Sequence, residues 1–201
     1  MTIGIYGGSF NPIHQGHLNL GRWLVRHHYV DELWFMVSPQ NPLKPAADLL
    51  DDRARLRLAR LAVGRSKGLR VSDFEFSLPR PSFMVDTLAA LSEAHPEHDF
   101  ALVIGADNWL DFHLWHRPDD ILRRHRIIVY PRPGYSLDAT ALPHTIDSIE
   151  GCPGVTLVPQ APLFDISSTQ IRQAITANPS FARSYLHPRV WAEIQARGYY
   201  R

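Results

Sequence analysis

The feature that most restricts the fold of this chain is a regular alternation of short apolar runs with amphipathic segments. Residues 100–104 read Phe-Ala-Leu-Val-Ile, an apolar run typical of a strand that is buried on both faces. Residues 18–28 place Leu20 and Leu24 four residues apart, which is typical of a helix. Strands separated by helices form parallel sheets with helices on both faces. We therefore predict a single doubly wound α/β domain over residues 1–201.

The same alternation places the remaining elements. Strands are predicted at residues 2–6, 32–37, 69–76, 126–130 and 155–158, and helices at residues 51–63, 85–95, 168–177 and 188–197. Three prolines place residues 38–45 in a loop. Residues 131–154 hold four prolines and three glycines, and we interpret them as a long surface connection rather than a linker between domains.

The charge balance limits the partners of the chain. Twenty-one Lys and Arg side chains against twenty Asp and Glu leave a net charge of +1, so no broad positive field is present. We therefore expect local phosphate recognition and no nucleic-acid or membrane partner. Cys152 is the only cysteine, which excludes an intrachain disulfide and favours a reducing compartment. Without a signal peptide or a membrane-length apolar run, the sequence predicts a cytoplasmic protein, and it does not indicate the oligomeric state.

Residues 7–17 form a glycine-containing turn after the first predicted strand, where α/β proteins bind their ligands. Gly7 and Gly8 allow a tight turn and a close approach of phosphate to the main chain, and Pro12 stiffens the loop. His14 and His17 lie three residues apart beside the start of the next helix, whose backbone N–H groups favour anions. The segment therefore predicts a compact polyphosphate site.

Other kinds of site fit parts of this segment. A dinucleotide-binding loop needs Gly-x-Gly-x-x-Gly and a P-loop needs Gly-Lys-Ser or Gly-Lys-Thr, and residues 7–17 contain neither pattern. A His-x-x-His pair can bind zinc, but no third ligand follows at a standard spacing. Two surface histidines without a function are the remaining alternative, which the strand-to-helix turn disfavours.

A second motif lies far along the chain, at residues 165–172. Ser167 can cap the following helix while Gln170 reaches back, which is the pattern of a capping box. Ser168 then lies at a positive helix end, and Arg172 can hold two phosphate oxygens with its planar guanidinium group. Taken alone, the pattern also fits a well-capped surface helix with an ordinary arginine.

The two motifs together resemble those of the adenylyl- and cytidylyltransferase superfamily. Residues 8–17 match its pattern Gly-x-Phe-x-Pro-x-His-x-Gly-His, and residues 166–172 resemble its Ile-Ser-Ser-Thr-x-Ile-Arg element. The first pattern commonly has Asp at the position of Asn11, and Asn is also compatible with the turn. The resemblance implies a Rossmann-like fold, histidines that contact nucleotide phosphates and stabilise the charge of the transfer, and a second motif that contacts ATP.

The middle of the chain is similar to the nicotinate-nucleotide adenylyltransferases of that superfamily. Residues 72–75 and 86–88 resemble the region that cradles the pyridine nucleotide. The resemblance implies that Thr87 binds near the nicotinate carboxylate, helped by backbone N–H groups.

Three more residues follow from the same resemblance. Residues 104–108 resemble a Gly-x-Asp element, in which Asp107 meets ribose hydroxyls or metal-bound water. Trp115 corresponds to a tryptophan that stacks on the pyridine ring, with a position in the core as the alternative. Lys44, on the proline-rich loop, can neutralise phosphate, although a solvated lysine is the commoner case.

The resemblance covers nearly the whole chain and implies transfer of the AMP moiety of ATP to nicotinate mononucleotide, which forms deamido-NAD and pyrophosphate. It implies Mg²⁺ that arrives with ATP and no metal site built by the protein. The catalytic residues that it implies are His14, His17, Lys44 and Arg172. The residues implied to bind ATP are Gly7, Gly8, Ser9, Phe10, His14, His17, Gly105, Asp107, Ile166, Ser167, Ser168, Thr169 and Arg172. Those implied to bind the mononucleotide are Lys44, Thr87, Asp107 and Trp115.

Several alternatives stay open at this point. The enzyme could prefer the amide mononucleotide or accept both forms. An NAD(P)-dependent oxidoreductase would need the missing Gly-x-Gly-x-x-Gly, and a non-catalytic nucleotide sensor would not need intact His14, His17 and Arg172. Phosphopantetheine adenylyltransferases share both end motifs, but they are typically shorter and lack the region around Trp115.

Overall fold

A parallel β-sheet forms the centre of the protein. The computed structural model describes residues 1–39, 49–135 and 154–201. The strands are β1 (Thr2–Gly8), β2 (Glu32–Val37), β3 (Leu69–Ser72), β4 (Asp99–Gly105), β5 (Arg126–Tyr130) and β6 (Val155–Leu157). They lie in the order β3-β2-β1-β4-β5-β6, and each neighbouring pair is parallel.

Helices cover both faces of this sheet. They are α1 (Gln15–Arg26), α2 (Asp52–Val63), α3 (Met84–Ala94), α4 (Ala106–Leu110), α5 (Pro118–Arg124), α6 (Ser168–Ala177), α7 (Pro179–Ser184) and α8 (Pro188–Arg197). Apolar side chains of α1, α2, α6 and α8 join one core cluster, and those of α3, α4 and α5 join the other. The predicted doubly wound, Rossmann-like α/β architecture is therefore confirmed.

Strand β2 illustrates how one segment serves both faces. Leu33, Phe35 and Val37 join the cluster that contains α1 and α2, whereas Trp34 and Met36 join the opposite cluster. Successive side chains of a strand point to opposite faces, so a strand covered on both sides has to be apolar at each position. All five side chains are buried, which explains the uninterrupted apolar run.

The predicted boundaries agree with the structure for several elements, namely those at residues 32–37, 126–130, 168–177 and 188–197. The strand predicted at 69–76 is wrong beyond Ser72. Strand β3 lies at the edge of the sheet, and its partner β2 ends one residue after the Met36–Ser72 pair, so β2 offers at most one further residue for pairing. The chain turns there into a short 3₁₀ helix, Phe74–Ser77.

Some parts of the chain fall outside the predictions or outside the described residues. Helices α4, α5 and α7 have five, seven and six residues, too few to show a helical repeat in the sequence. The predicted loops at 38–45 and 131–154 lie largely outside the described residues, as do Lys44 and Cys152. Within the described ranges, no helix has the length and apolar character needed to cross a membrane.

The order of the strands reverses between β1 and β4. From β1 the sheet continues through β2 and β3 on one side, and from β4 it continues through β5 and β6 on the other. The loops after β1 and β4 therefore leave in opposite directions, and sheets of this kind bind ligands in the crevice between such loops. Gly8 and Gly105 end these two strands, so a site is expected beside them.

Candidate active site

A cavity of about 490 Å³ lies at these strand ends. Its size is typical of a small-molecule site. All residues predicted to bind ATP line it, namely Gly7, Gly8, Ser9, Phe10, His14, His17, Gly105, Asp107, Ile166, Ser167, Ser168, Thr169 and Arg172. Of the residues predicted to bind the mononucleotide, Asp107 and Trp115 also line it.

The loop after β1 connects Gly8 to helix α1, which begins at Gln15, three residues before the predicted start. His14 is the N-cap residue of this helix, so both histidines lie at its N-terminal end. Phe10 is 3% exposed and has a φ of 44°, in the left-handed region that non-glycine residues rarely adopt. Such strained residues concentrate at functional sites, where the surrounding structure holds them.

The imidazole rings of His14 and His17 lie against each other. Their centroids are 3.7 Å apart and their planes differ by 31°. The backbone N–H of His14 donates to Nδ1 of His17 at 3.1 Å. Because Nδ1 of His17 is an acceptor, a neutral His17 carries its proton on Nε2 and can donate from that atom.

His14 is the deeper member of the pair, at 4% exposure. Its burial lowers its pKa from 6.5 to about 3, with a smaller contribution from the positive charge of Arg132. Without a ligand His14 is therefore neutral at physiological pH. The negative charge of a bound polyphosphate would favour its protonated form.

The lowered pKa of His14 makes the free energy of unfolding depend on pH. Between about pH 6.5 and pH 3 the unfolded chain binds a proton that the folded chain excludes, so stability is lost as the pH falls through this window. From about pH 7.5 to pH 5, wild type is expected to lose about 2 kcal/mol more than His14→Asn. Urea unfolding at both pH values measures this difference, and equal losses in the two chains would contradict a buried neutral imidazole.

The second motif forms the predicted capping box at the start of α6. Oγ of Ser167 accepts from the backbone N–H of Gln170 at 3.2 Å, and Oε1 of Gln170 accepts from the backbone N–H of Ser167 at 2.7 Å. The reciprocal bonds satisfy backbone donors that a helix start would leave free. They fix the direction of the first turn of α6, which faces the cavity.

The two motifs contact each other directly. Oγ of Ser168 donates to the carbonyl of Pro12 at 2.9 Å, and the guanidinium group of Arg172 donates to the carbonyl of Asn11 at 2.9 Å. Arg172 also donates to Oγ1 of Thr169 at 3.3 Å. Helix α6 therefore holds the main chain of the loop after β1, and Arg172 lines the same cavity as the two histidines.

An ion pair lies beside the end of β4. Asp107, in the first turn of α4, approaches Arg132 at 3.6 Å, and each side chain is 32% exposed. A Cβ atom at Gly105 would lie 2.4 Å from Oδ1 of Asp107 and 2.8 Å from Cγ of Arg132, so glycine is needed for this approach. Sequence reasoning missed Arg132, although a basic residue just after the end of β5 is a signal for it.

The wall of the cavity beyond the ion pair is aromatic. The ring of Trp115 contacts that of Phe112 with centroids 5.3 Å apart, and its Nε1 is buried without a hydrogen-bond partner among the described residues. Phe83 stacks on His116 with centroids 4.4 Å apart and planes 34° apart. Phe83 and His116 line the cavity with Trp115, and sequence reasoning did not find them.

Thr87 is not among the residues that line the cavity, and its contact with the mononucleotide stays a prediction. It is fully buried, and its hydroxyl donates to Oε1 of Glu75 at 3.0 Å. Helix α3 places Thr87 one turn after Phe83, on the face that packs inward. Glu75 lines the cavity and also accepts from Oγ of Ser82 at 3.2 Å, and burial raises the pKa of this carboxyl.

The start of α3, by contrast, lies at the cavity. Its N-cap residue, Phe83, makes no side-chain cap, and Phe83 and Met84 line the cavity. The N–H groups of Asp86 and Thr87 both donate to the carbonyl of Phe83 at 3.0 Å. The preceding N–H groups, those of Met84 and Val85, are the ones that a helix start leaves for an anion.

Arg55 holds the loop after β1 from behind. It is 1% exposed and donates to four carbonyl groups at 2.7 to 2.9 Å, those of Ser9, Ser38, Pro39 and Leu50. Sequence reasoning missed it, although Arg55 lies on the same face of α2 as the buried Leu58 and Ala59. A charged residue on an apolar helix face is the signal that could have found it.

The described residues contain no group of three or more His, Cys, Asp or Glu side chains that could hold a metal ion. The zinc alternative for His14 and His17 therefore lacks a third ligand within these ranges. Asp107 is a carboxylate that lines the cavity, and it is paired with Arg132.

Known proteins resemble this chain over most of its length. A family model described as cytidylyltransferase-like matches residues 5–174. A probable nicotinate-nucleotide adenylyltransferase of Bacteroides thetaiotaomicron is 47% identical over 195 residues, which cover 97% of this chain and 91% of the relative. A protein of the same name from Bacteroides fragilis is 46% identical over 191 residues, 95% of this chain and 90% of the relative.

A solved structure shares the fold. The nicotinic acid mononucleotide adenylyltransferase of Plasmodium falciparum, complexed with NaAD, has a TM-score of 0.78 at 20% identity, with coverage of 99% of this chain and 97% of that chain. The extent of the family match and the identity to the two Bacteroides proteins decide the family. This chain belongs to the cytidylyltransferase-like family and, within it, to the nicotinate-nucleotide adenylyltransferases.

Proposed function

We propose that the protein transfers the AMP moiety of ATP to nicotinate mononucleotide, which forms deamido-NAD and releases pyrophosphate. The observation that carries the proposal is the composition of one cavity. His14, His17 and Arg172 line its phosphate-binding end, and Trp115 and the uncapped start of α3 line the rest. The names of the Bacteroides relatives support the same reaction.

The reaction needs no nucleophile from the protein. An oxygen of the 5′-phosphate of nicotinate mononucleotide bonds to the α-phosphorus of ATP, and the bond from that phosphorus to the oxygen bridging to the β-phosphorus breaks. The electron pair leaves with pyrophosphate. Catalysis then depends on the alignment of two anions and on the stabilisation of spread negative charge.

Five residues are proposed to stabilise this charge. His17 donates from Nε2, because its Nδ1 accepts from the backbone N–H of His14. His14 gains a proton as the phosphates bind, and Arg172 donates N–H groups that its bond to Asn11 leaves available. The proposed role of Lys44 is supported only by the resemblance of its loop to the family's. We add Arg132, whose charge lies close enough to lower the pKa of His14.

Mg²⁺ is proposed to arrive with ATP. When bound, it would neutralise charge on the phosphate oxygens. The described part of the chain contains no cluster of His, Cys, Asp or Glu side chains that would support a metal held by the protein instead. For Asp107 we propose a contact with a water of the ion or with the ribose hydroxyls.

The nicotinate ring is proposed to bind against Trp115, with its carboxylate at the start of α3. The N–H groups of Met84 and Val85 suit a carboxylate, which only accepts hydrogen bonds, better than an amide, which also presents donors. Thr87 contributes indirectly, since it holds Glu75 and the inner face of α3. This arrangement favours the acid form of the mononucleotide.

Replacement of Trp115 by alanine should raise KM for nicotinate mononucleotide about tenfold while kcat stays within about twofold, because stacking on a base contributes roughly 1–3 kcal/mol to binding. Initial rates at saturating ATP measure both constants. Trp191→Phe, in the opposite core cluster, is the control and should leave KM unchanged. An unchanged KM in Trp115→Ala would show that Trp115 only packs against Phe112.

The test of the proposed function is pyrophosphate release from ATP with a panel of acceptors. Nicotinate mononucleotide should support the fastest release, its amide should support slower release, and phosphopantetheine and the no-acceptor control should support none. Faster release with the amide would overturn the substrate, and faster release with phosphopantetheine would overturn the class of acceptor. Hydride transfer without ATP would indicate an oxidoreductase, and ATP binding without turnover would indicate a sensor.

We further propose that residues 1–201 form one nucleotidyltransferase domain of a cytoplasmic protein whose partners are small molecules. Contacts between distant parts of the chain support a single domain. Thr2 begins the central strand β1, and Tyr200 bonds to Asn11 in the loop that follows the same strand. The net charge of +1 gives no support to a nucleic-acid partner.

A further inference from the structure

The last residues of the chain lie against the loop after β1. Tyr200 lies two residues after Gly198, which ends α8. Its ring packs against the core cluster that contains α1 and α2. The hydroxyl of Tyr200 donates to Oδ1 of Asn11 at 2.9 Å. Burial raises the pKa of Tyr200, so its hydroxyl keeps the proton that it donates.

Asn11 connects three separate parts of the chain. Besides Tyr200, its Oδ1 accepts from the backbone N–H of Leu50 at 3.2 Å, ahead of α2. Its own carbonyl accepts from Arg172 of α6 at 2.9 Å. An amide oxygen has two lone pairs, so Leu50 and Tyr200 together occupy the acceptor capacity of Oδ1. Asn11 is 3% exposed, so water cannot readily replace either donor.

The loop that contains Asn11 needs such support. Phe10, its neighbour, has a φ of 44° and is buried, and a strained residue persists only where surrounding contacts hold it. Arg55 holds one end of the loop through the carbonyl of Ser9. Tyr200 and Arg172 hold Asn11, three residues before His14.

We propose that Tyr200 is a positioning residue, whose hydroxyl bond to Asn11 fixes the loop that carries His14 and His17. It touches neither substrate, and it acts on the reaction through Asn11. Its effect on turnover rests on the proposed function, whereas its effect on the order of the loop does not. The same contact explains why Asn suffices at position 11, where the superfamily commonly has Asp, since both side chains offer the acceptor oxygen that the bond needs.

The first test is hydrogen exchange in Tyr200→Phe, which keeps the ring and removes the hydroxyl. Peptides that cover residues 7–17 should exchange about fivefold faster than in wild type, as expected for the loss of one buried hydrogen bond. Tyr199→Phe is the matched control, because the Tyr199 hydroxyl makes no hydrogen bond within the described residues, and it should leave these peptides unchanged. Equal exchange in Tyr200→Phe and wild type would overturn the proposal, whatever reaction the protein catalyses.

The second test is kinetic. Tyr200→Phe should lower kcat about fivefold without a change in KM for nicotinate mononucleotide, and its Tm should stay within about 3 °C of wild type. In an Asn11→Ala background the same change should lower kcat no further, because the acceptor is already absent. Additive losses in the double variant would overturn the proposal. Absence of pyrophosphate release in wild type would instead overturn the proposed function, and the exchange experiment would still decide the role of Tyr200.

Discussion

The replacement of His17 by alanine is expected to lower kcat about 100- to 1000-fold, the loss typical when one donor to a developing negative charge is removed. Nε2 of His17 is the donor, because Nδ1 is held by the backbone N–H of His14. The fold should persist, since the side chain is only partly buried and α1 keeps its packing through Leu18, Leu20 and Leu24.

Pyrophosphate release at saturating substrates measures this loss, and circular dichroism checks the fold. His28→Asn is the control variant, an exposed histidine just beyond α1 whose φ of 58° asparagine also tolerates. It should retain wild-type turnover. A His17→Ala rate within about threefold of wild type would remove His17 from the charge-stabilising groups.

The largest effect on stability is expected for Arg55→Met. The variant removes a buried cation and leaves four carbonyl groups without their donor, those of Ser9, Ser38, Pro39 and Leu50. We expect the free energy of unfolding to fall by about 3 kcal/mol, since each unsatisfied buried acceptor costs roughly 1–3 kcal/mol and water will reach some of them. Tm should fall by about 10 °C.

Urea unfolding and thermal melting both measure the loss. Arg53→Met is the matched control, an exposed arginine in the same helix, and its effect should stay within about 0.5 kcal/mol. Equal stabilities of the two variants would mean that the carbonyl groups find other donors. Because Arg55 holds Ser9, the variant should also lose activity at temperatures where it stays folded.

The fold was predictable where burial dictates the sequence. Strands covered on both faces have to be apolar at each position, so β2 and β5 could be located to the residue. The edge strand β3 could not, because its end depends on where its partner β2 ends. The short helices α4, α5 and α7 could not be located either, because segments of five to seven residues are too short to show a helical period in the sequence.

The cavity was predictable where a motif combines several residues at fixed spacing. Residues 8–17 and 166–172 lie together because each begins a helix at the carboxyl ends of the parallel strands. Isolated residues were harder to predict. Arg132 comes to Asp107 only through the pairing of β4 with β5, and Tyr200 reaches Asn11 only through the packing of α8. Thr87 is an isolated residue that was predicted at the site, but its position on α3 buries its side chain away from the cavity.

Adenylyl transfer to nicotinate mononucleotide is tested by following labelled phosphate through the reaction. The protein is incubated with ATP and nicotinate mononucleotide that carries ¹⁸O in its phosphate group. The products are then separated, and the mass of each is measured by mass spectrometry. Attack by the mononucleotide on the α-phosphorus predicts that deamido-NAD retains all of the label and that pyrophosphate contains none. Label in pyrophosphate, or pyrophosphate release without formation of the dinucleotide, would contradict adenylyl transfer to this acceptor.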